Sequence, residues 1–261
     1  MKGIIGTISG DIIGSIYEFN SIKSKDFPLF TKESNFTDDT IMTLAIANWL
    51  VEDKSSQEVL IKNLKYFGNK YPNAGYGGMF KRWLRQDNPE PYGSWANGSA
   101  MRVSPCAWVA DSLEEAQDLA YKSAVVTHNH PKGIEGALAT CDAIYLARIG
   151  ASKDEIKEHV EIRYEYDLNR SLDEIRPIYS FDVSCAGSVP ESIICFLESR
   201  DFEDTIRNAV SLGGDADTQA AIAGSIASAY WEVPKSISYR AIHRLDYRLL
   251  NVLIDFEEKF M

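Results

Sequence analysis

The 261-residue sequence is poor in cysteine and has no long apolar segment. Its four cysteines form no CxxC pair and lie among apolar or small residues, which favours free thiols in a reducing compartment. No apolar run approaches the roughly 20 residues that span a bilayer. The N-terminal stretch lacks a small-residue cleavage site and carries Asp11 within its apolar part, unlike a signal peptide. We therefore expect a cytoplasmic protein with no membrane contact.

Basic residues are fewer than acidic ones. The sequence has 27 Lys and Arg and 38 Asp and Glu, which gives a formal net charge of -11 at pH 7. Binding to a nucleic-acid backbone depends on Lys and Arg side chains that displace counterions. The charge balance therefore argues against nucleic acid as a partner. An anionic ligand of any kind would need positive charge supplied locally by the site that binds it.

Strand signals are few, and helix signals dominate the chain. Three Ser-x-x-Glu sequences, which begin at Ser112, Ser152 and Ser171, each predict a capping box at the start of a helix. Apolar residues at helical spacing predict a helix over 134–149. The alanine, glycine and serine residues of 220–231 would allow close helix contacts and predict a central helix.

One stretch, 68–105, predicts a long irregular loop because it contains six glycines and four prolines. No linker or low-complexity tract divides the chain, and 45% apolar residues suffice for a substantial core. We therefore expect a single all-α domain over residues 1–261, with this loop serving function.

Two short motifs place carboxylates directly before a threonine and an apolar helix. Asp38 and Asp39 stand in FTDDT, and Asp215 and Asp217 stand in GGDADT. Adjacent unpaired carboxylates raise each other's pKa and attract a cation, and hard cations such as Mg²⁺, Mn²⁺ or Ca²⁺ prefer oxygen-only donors. The alternative is that all four are helix N-caps. Because the motif occurs twice, we favour convergence of both pairs on a two-metal site.

Five motifs in this order resemble those of the ADP-ribosylglycohydrolases, a family that includes the dinitrogenase reductase-activating glycohydrolase and the ADP-ribosyl-acceptor hydrolases. They are GDIIGSIYEF (10–19), FTDDT (36–40), WANGSAMRVSP (95–105), THNHP (127–131) and GGDADT (213–218). The resemblance covers nearly the whole chain and implies a single compact all-α domain with two Mg²⁺ or Mn²⁺ ions in a central cleft. It implies six metal ligands, which are Thr37, Asp38, Asp39, Asp215, Asp217 and Thr218.

The first motif carries two carboxylates with different expected roles. Glu18 lies one helical turn beyond Gly14, and the resemblance implies that a glutamate here sits at the metal centre and acts in catalysis. Asp11 is expected to fix the structure around the site. The alternative for both residues is an ordinary charge on an amphipathic helix.

The segment YGSWANGSAMR, 92–102, is expected to contact another part of the substrate. Small residues let backbone N–H groups approach a phosphate closely, and successive amides can form an anion-binding concavity. The resemblance implies that the loop binds the diphosphate, with an aromatic residue near the adenosine; these residues are Ser94, Trp95, Ala96, Asn97 and Gly98. Family members usually have glycine where Ala96 stands, which would alter the backbone approach. The alternatives are a turn-rich surface segment and, for Arg102, a structural salt bridge.

The THNHP motif contributes two of the four histidines, His128 and His130. A zinc site is not expected, because no cysteine or further histidine lies at a suitable spacing. The resemblance implies that His128 faces the bound nucleotide. The alternative is that His128 caps the helix after Pro131, and His130 is expected to be structural.

The expected activity is metal-dependent hydrolysis of an N- or O-glycosidic ADP-ribosyl bond, releasing ADP-ribose from a modified protein or a small acceptor. Three alternatives stay open: a metal-dependent phosphohydrolase acting on a nucleotide, a non-catalytic ADP-ribose-binding protein and a structural protein. The resemblance to arginine-directed members implies an aspartate base within 71–78, where this chain has none. We therefore expect Glu18 as the base, with Asp87 as the alternative. Arginine-linked ADP-ribose is not expected to be the best substrate.

Overall fold

Fourteen α-helices and one short 3-10 helix build residues 2–261, the part of the chain that this computed structural model describes. Within these residues no β-sheet forms, and a single antiparallel bridge joins Ala96 to Ser184. The prediction of an all-α fold is confirmed. The helices are α1 (Ile5–Gly14), α2 (Asp38–Asp53), α3 (Gln57–Lys70), α4 (Gly78–Leu84), α5 (Ser104–Val109), α6 (Leu113–Val125), α7 (Pro131–Arg148), α8 (Lys153–Tyr164), α9 (Leu172–Ile175), α10 (Cys185–Leu197), α11 (Phe202–Ser211), α12 (Ala216–Tyr230), α13 (Lys235–Ile242) and α14 (Tyr247–Phe260), with the 3-10 helix at Asn97–Ser99.

Serine caps begin three helices where the sequence predicted them. Ser152 and Ser171 form complete capping boxes, in which the glutamate three residues later also accepts from the backbone N–H of the serine. Ser112 accepts from the N–H of Glu115, but the Glu115 carboxylate accepts from Asp111 instead. The third predicted box is therefore only half formed, although the helix starts in the predicted place.

The two predicted core helices are present and longer than predicted, as α7 and α12. Gly150 lies in the left-handed region, with φ +90°, just after α7, where glycine commonly ends a helix. The predicted loop over 68–105 is wrong in part, because α4 and the 3-10 helix interrupt it. Phe80, Trp83 and Leu84 of α4 are buried in the core, so packing outweighs the local glycine signal.

Helix α12 lies at the centre of the molecule, where it packs against α1, α7, α10 and α11. All of its residues from Ala216 to Ala229 are buried. The four cysteines are unbridged, as the sequence predicted, and all four are buried. Among the described helices, none combines the length and the apolar character that crossing a membrane requires.

Helices α1 and α12 run antiparallel and touch through their backbones. Three glycines of α1, spaced four residues apart, face α12. A Cβ on Gly10 would lie 2.7 Å from the backbone nitrogen of Ala221 and closer still to the carbonyl of Ala220, and one on Gly14 would lie 2.5 Å from the Cα of Asp217. The contact therefore brings the end of α1 against the beginning of α12.

We expect Gly10→Ala to lower the free energy of unfolding by about 3 kcal/mol, because the obstructing atoms are backbone and the helices must move apart. Urea denaturation measures the loss. Gly78→Ala is the matched control, since a Cβ there meets nothing within 4 Å, and we expect its stability to stay the same or rise by about 0.4–1 kcal/mol. Equal stability of the two variants would contradict a rigid contact between α1 and α12.

Candidate active site

Asp11 on α1 holds the start of α2 in place. Its buried carboxylate accepts from the backbone N–H groups of Thr37 and Thr40, both at 3.0 Å, and from both threonine hydroxyls. Four donors offset much of the cost of burying this carboxylate. This arrangement supports the structural role expected for Asp11, and it fixes Asp38 and Asp39 relative to α1.

Two consecutive glycines let other segments approach the start of α12. Gly213 has φ +68°, and a Cβ on it would lie 2.8 Å from the carbonyl oxygen of Ile22. A Cβ on Gly214 would overlap the ring of Tyr179. The Lys23 ammonium donates to the carbonyls of Tyr179 and Leu212, which ties the segment after α1 to the loop before Asp215.

A cavity of about 310 Å³ opens where these segments meet. The carboxylates of both aspartate motifs and of Glu18 line it, so residues from opposite ends of the chain converge. One carboxylate oxygen from each of Glu18, Asp215 and Asp217 lies within 4.8 Å of the other two. The lining carboxylates are Glu18, Asp38, Asp39, Asp215 and Asp217.

Burial and mutual repulsion disfavour the charged forms of these carboxylates. Burial, followed by the charges of Asp11 and Asp215, raises the pKa of Asp38 to about 8. Burial, then Asp215 and Asp11, raises the pKa of Glu18 to about 7. The pKa values of Asp39 and Asp217 are raised well above their usual range, mainly by burial. A positive charge nearby would therefore stabilise the ionised forms of these carboxylates.

The donor set fits divalent metal ions. The Oδ2 atom of Asp39 is buried and has no hydrogen-bond partner among the described residues, which is costly unless another group binds it. The carboxylates that line the cavity offer oxygen donors, the type that Mg²⁺, Mn²⁺ and Ca²⁺ prefer. The beginnings of α2 and α12 add partial positive charge that helps to hold the carboxylates.

The two threonines proposed as metal ligands differ in their surroundings. Thr218 lines the cavity beside Asp217. Thr37 is the N-cap of α2, and its hydroxyl donates to Asp11 at 2.7 Å and accepts from the N–H of Asp39 at 3.3 Å. Thr37 is thus bonded within the protein, and its role as a ligand stays a prediction.

The loop at 94–98 also lines the cavity, through Ser94, Ala96, Asn97 and Gly98. The Asn97 amide nitrogen donates to Asp215 at 2.8 Å, and its backbone N–H donates to the carbonyl of Val183, also at 2.8 Å. Asn97 therefore joins this loop to the carboxylates. Its bonds leave it fewer free donors for a substrate phosphate than the sequence suggested.

The backbone of Ala96 and the position of the Trp95 side chain bear on what the sequence implied for this loop. Ala96 is extended, with φ -75° and ψ 162°, so its backbone conformation does not require the usual glycine. The side chain of Trp95 is 51% exposed, and Trp95 is not among the residues that line the cavity. Its indole is therefore free at the surface next to the cavity.

The two histidines of THNHP have separate positions. His128 is buried in the wall of the cavity, whereas His130 is the N-cap of α7 and accepts from the N–H of Lys132. Of the two, His130 makes the cap that was the alternative for His128. Burial, with a smaller effect of the Arg102 charge, holds the pKa of His128 well below its usual range.

Several cavity residues carried no signal in the sequence. Gly75, with φ +108°, packs against Asp38, whose backbone N–H donates to the carbonyl of Ala74. Phe181 and Val183 line the cavity from the loop before α10. These residues come together through contacts between distant segments, which the sequence does not reveal.

The segment aligned with the missing aspartate does reach the cavity, through Gly75, Gly77 and Gly78, but it brings no carboxylate there. Asp87 is not among the residues that line the cavity. Among the carboxylates that line the cavity, Glu18 is the one outside the two aspartate motifs.

A family model described as ADP-ribosylglycohydrolase matches residues 1–259. The chain belongs to this family. This member is accordingly a hydrolase that acts on glycosidic bonds.

Relatives of this family member carry related descriptions. Human ADP-ribosylhydrolase ARH3 is 30% identical, with 89% of this chain and 86% of that protein covered. ADP-ribosylarginine hydrolase Tri1 of Pseudomonas putida is 26% identical, with 88% and 70% covered. A solved structure described as an ADP-ribosylglycohydrolase-related protein complex superposes with a TM-score of 0.75 over 99% of this chain and 96% of that one. At 21% identity, that likeness shows the fold.

We expect Asp217→Asn to raise the melting temperature of the protein in EDTA, because the amide replaces a carboxyl whose ionisation is opposed by burial and by the neighbouring carboxylates. The same variant should lose most of the stabilisation that Mg²⁺ or Mn²⁺ gives the wild type, which is about 2.7 kcal/mol at a hundredfold excess over Kd. Thermal unfolding with and without metal measures both effects. Asp173→Asn, at a fully solvated position, is the control. A wild-type protein that metal does not stabilise would argue against the metal site.

Proposed function

We propose that this ADP-ribosylglycohydrolase family member removes ADP-ribose from a modified protein or small acceptor by metal-dependent hydrolysis of an N- or O-glycosidic bond. The observation that carries the proposal is the convergence of Glu18, Asp215 and Asp217 within 4.8 Å in a cavity of about 310 Å³. Residues of the loop at 94–98 and His128 line the same cavity. Family membership supports the reaction type.

In this proposal six residues hold two divalent cations, Mg²⁺ or Mn²⁺; they are Thr37, Asp38, Asp39, Asp215, Asp217 and Thr218. The buried, unpartnered oxygen of Asp39 and the oxygen-only donor set support it. When bound, the ions supply positive charge and Lewis acidity beside the ribose hydroxyls and the attacking water. Asn97 and Asp11 keep the carboxylates in place through their hydrogen bonds.

The reaction breaks the bond between the anomeric carbon of the ribose and the acceptor atom. Water supplies the oxygen that bonds to this carbon and the proton that the acceptor retains. Positive charge develops on the ribose as the acceptor leaves. Glu18 accepts the proton of the attacking water, a role that suits a carboxyl whose pKa is raised to about 7 by burial and by Asp215 and Asp11.

The nucleotide part of the substrate lies toward the loop at 94–98 and His128. Ser94, Ala96, Gly98 and His128 contact the diphosphate, with Asn97 between them and the carboxylates. Trp95 covers the adenine from the rim, which its exposure permits. A planar base and an exposed indole stack favourably.

Mass spectrometry of the products from arginine-linked, serine-linked and other ADP-ribosylated substrates tests the function. Free ADP-ribose together with the unmodified acceptor is the expected result, and EDTA in excess abolishes it. Release of phosphate or AMP would instead indicate a phosphohydrolase. Tight ADP-ribose binding without turnover of any substrate would indicate a binding protein. We expect serine-linked or another substrate to be cleaved faster than the arginine-linked one, because the residues at 71–78 bring no carboxylate.

We expect Glu18→Gln to lower turnover by roughly 10²–10⁴-fold, the usual contribution of a general acid or base, with little change in ADP-ribose affinity. Glutamine keeps the shape of the side chain but cannot exchange a proton at neutral pH. Steady-state kinetics and calorimetry separate the two effects. Glu33→Gln, on the exposed part of the same loop, is the matched control. An active Glu18→Gln together with an inactive Asp87→Asn would show that Asp87 is the base.

We expect Trp95→Ala to weaken ADP-ribose binding by about 1–3 kcal/mol, the range for base stacking on an aromatic side chain. Calorimetry in the presence of Mg²⁺ measures the change. Tyr121→Ala is the control, because Tyr121 has a similar exposed fraction and does not line the cavity. Unchanged affinity in Trp95→Ala would remove Trp95 from the binding site.

A further inference from the structure

Arg102 is a cation buried in the wall of the cavity, with a side chain 1% exposed. One guanidinium nitrogen, Nη2, donates to the carbonyl of Ser123 at 2.7 Å and to the hydroxyl of Thr127 at 2.8 Å. Its Nε is buried without a partner, and no carboxylate among the described residues forms an ion pair with it. The salt bridge considered from the sequence is therefore absent from the described residues. A buried charge without an opposite charge is costly, which points to an anionic ligand.

The hydroxyl of Thr127 connects Arg102 to His128. The Thr127 oxygen accepts from Arg102 and lies 2.7 Å from Nδ1 of His128. A guanidinium only donates, so the single hydroxyl hydrogen goes to Nδ1 or to the carbonyl of Ala124, which is 3.5 Å away. The shorter contact favours donation to Nδ1.

This hydrogen bond decides which nitrogen of His128 carries the proton. Burial and the Arg102 charge keep the ring neutral, so it has one N–H. With Nδ1 as the acceptor, the hydrogen is on Nε2. That atom lies beside Gly98 in the cavity, since a Cβ on Gly98 would come within 3.1 Å of it. His128 thus presents a donor to the side of the cavity that loop 94–98 forms.

Other positive charge is lacking on this side of the cavity. Of the residues that line it, all within the described part, Arg102 is the single Lys or Arg. The backbone N–H of Asn97 is used by Val183, and that of Ala96 by the hydroxyl of Ser94. In a protein of net charge -11, the side-chain positive charge available to an anion here comes from Arg102, and His128 adds a hydrogen-bond donor.

We propose that Arg102 and Thr127 are positioning residues for the diphosphate of the substrate: Arg102 supplies the buried positive charge, and Thr127 fixes His128 as a neutral Nε2–H donor toward a phosphate oxygen. The inference rests on the proposed function for the identity of the anion. The relay consists of three side chains, Arg102, Thr127 and His128, and its two contacts measure 2.8 and 2.7 Å.

Calorimetry with two ligands, in the presence of Mg²⁺, tests the role of the relay. ADP-ribose carries the diphosphate, and adenosine lacks it. We expect Thr127→Val to weaken ADP-ribose binding about tenfold and Arg102→Met about 10–100-fold, with adenosine affinity unchanged within about twofold. Thr140→Val is the matched control, because it removes a buried threonine hydroxyl that has no partner among the described residues, and Thr140 does not line the cavity.

Nitrogen-15 NMR of histidine-labelled protein tests the tautomer directly. We expect the wild-type His128 signals to show a protonated Nε2 and an unprotonated Nδ1, and Thr127→Val to give a mixture of tautomers. Thr127→Ser keeps the hydroxyl and should restore both the tautomer and the ADP-ribose affinity. Arg102→Lys keeps the charge without the planar guanidinium and should restore the affinity in part.

Three results would overturn the proposal. The first is a wild-type His128 protonated on Nδ1, and the second is unchanged ADP-ribose affinity in both Arg102→Met and Thr127→Val. The third is an equal loss of affinity for adenosine and for ADP-ribose in these variants, which would indicate that the residues only maintain the fold. Absence of turnover by the wild type would reject the proposed hydrolysis. It would leave the relay to be decided by the binding and NMR measurements, so the two failures are distinguishable.

Discussion

The backbone contact between α1 and α12 is the constraint on which the site depends. Helices touch this closely only where neither carries a bulky side chain, and Gly10 and Gly14 provide that face on α1. The antiparallel contact places the turn after α1, with Glu18, beside the start of α12, with Asp215 and Asp217. Asp11, on the same helix, then fixes the start of α2. One helix of ten residues thus sets the relative positions of all the cavity carboxylates.

This arrangement concentrates negative charge at a cost to stability that the rest of the fold must offset. Asp11 is compensated, because four donors from the start of α2 satisfy it. Burial raises the pKa of Asp11 as well as those of Asp38, Asp39 and Asp217, but the described residues give the last three fewer hydrogen-bond donors. Protein interiors tolerate such buried carboxylates where a ligand supplies the opposite charge. Carboxylates of this kind therefore concentrate at functional sites. The four donors to Asp11 mark it as the carboxylate that holds the structure, whereas the acidic cluster of Glu18, Asp215 and Asp217 could bind a metal ion.

The sequence predicted what depends on local interactions and motif order. The caps at Ser152 and Ser171, the helix over 134–149 and the all-α fold follow from signals within a few residues of each other. It did not predict α4, whose buried aromatic residues are stabilised by contacts with distant segments. Nor did it predict that Asn97 would bind Asp215 and Val183, because that pairing joins segments far apart in the chain.

The distribution of charge in the cavity also favours one orientation of a bound substrate. Five carboxylates line the cavity, and among the described residues that line it the single guanidinium is that of Arg102, which Thr127 connects to neutral His128. A diphosphate is repelled by the carboxylates and attracted by Arg102, whereas ribose hydroxyls can approach the carboxylates and any cations bound there. In the proposed enzyme, these two preferences orient ADP-ribose with its anomeric carbon toward Glu18 and its phosphates toward His128. Binding of the nucleotide part thereby positions the glycosidic bond for reaction, although the contacts that hold the nucleotide do not involve that bond.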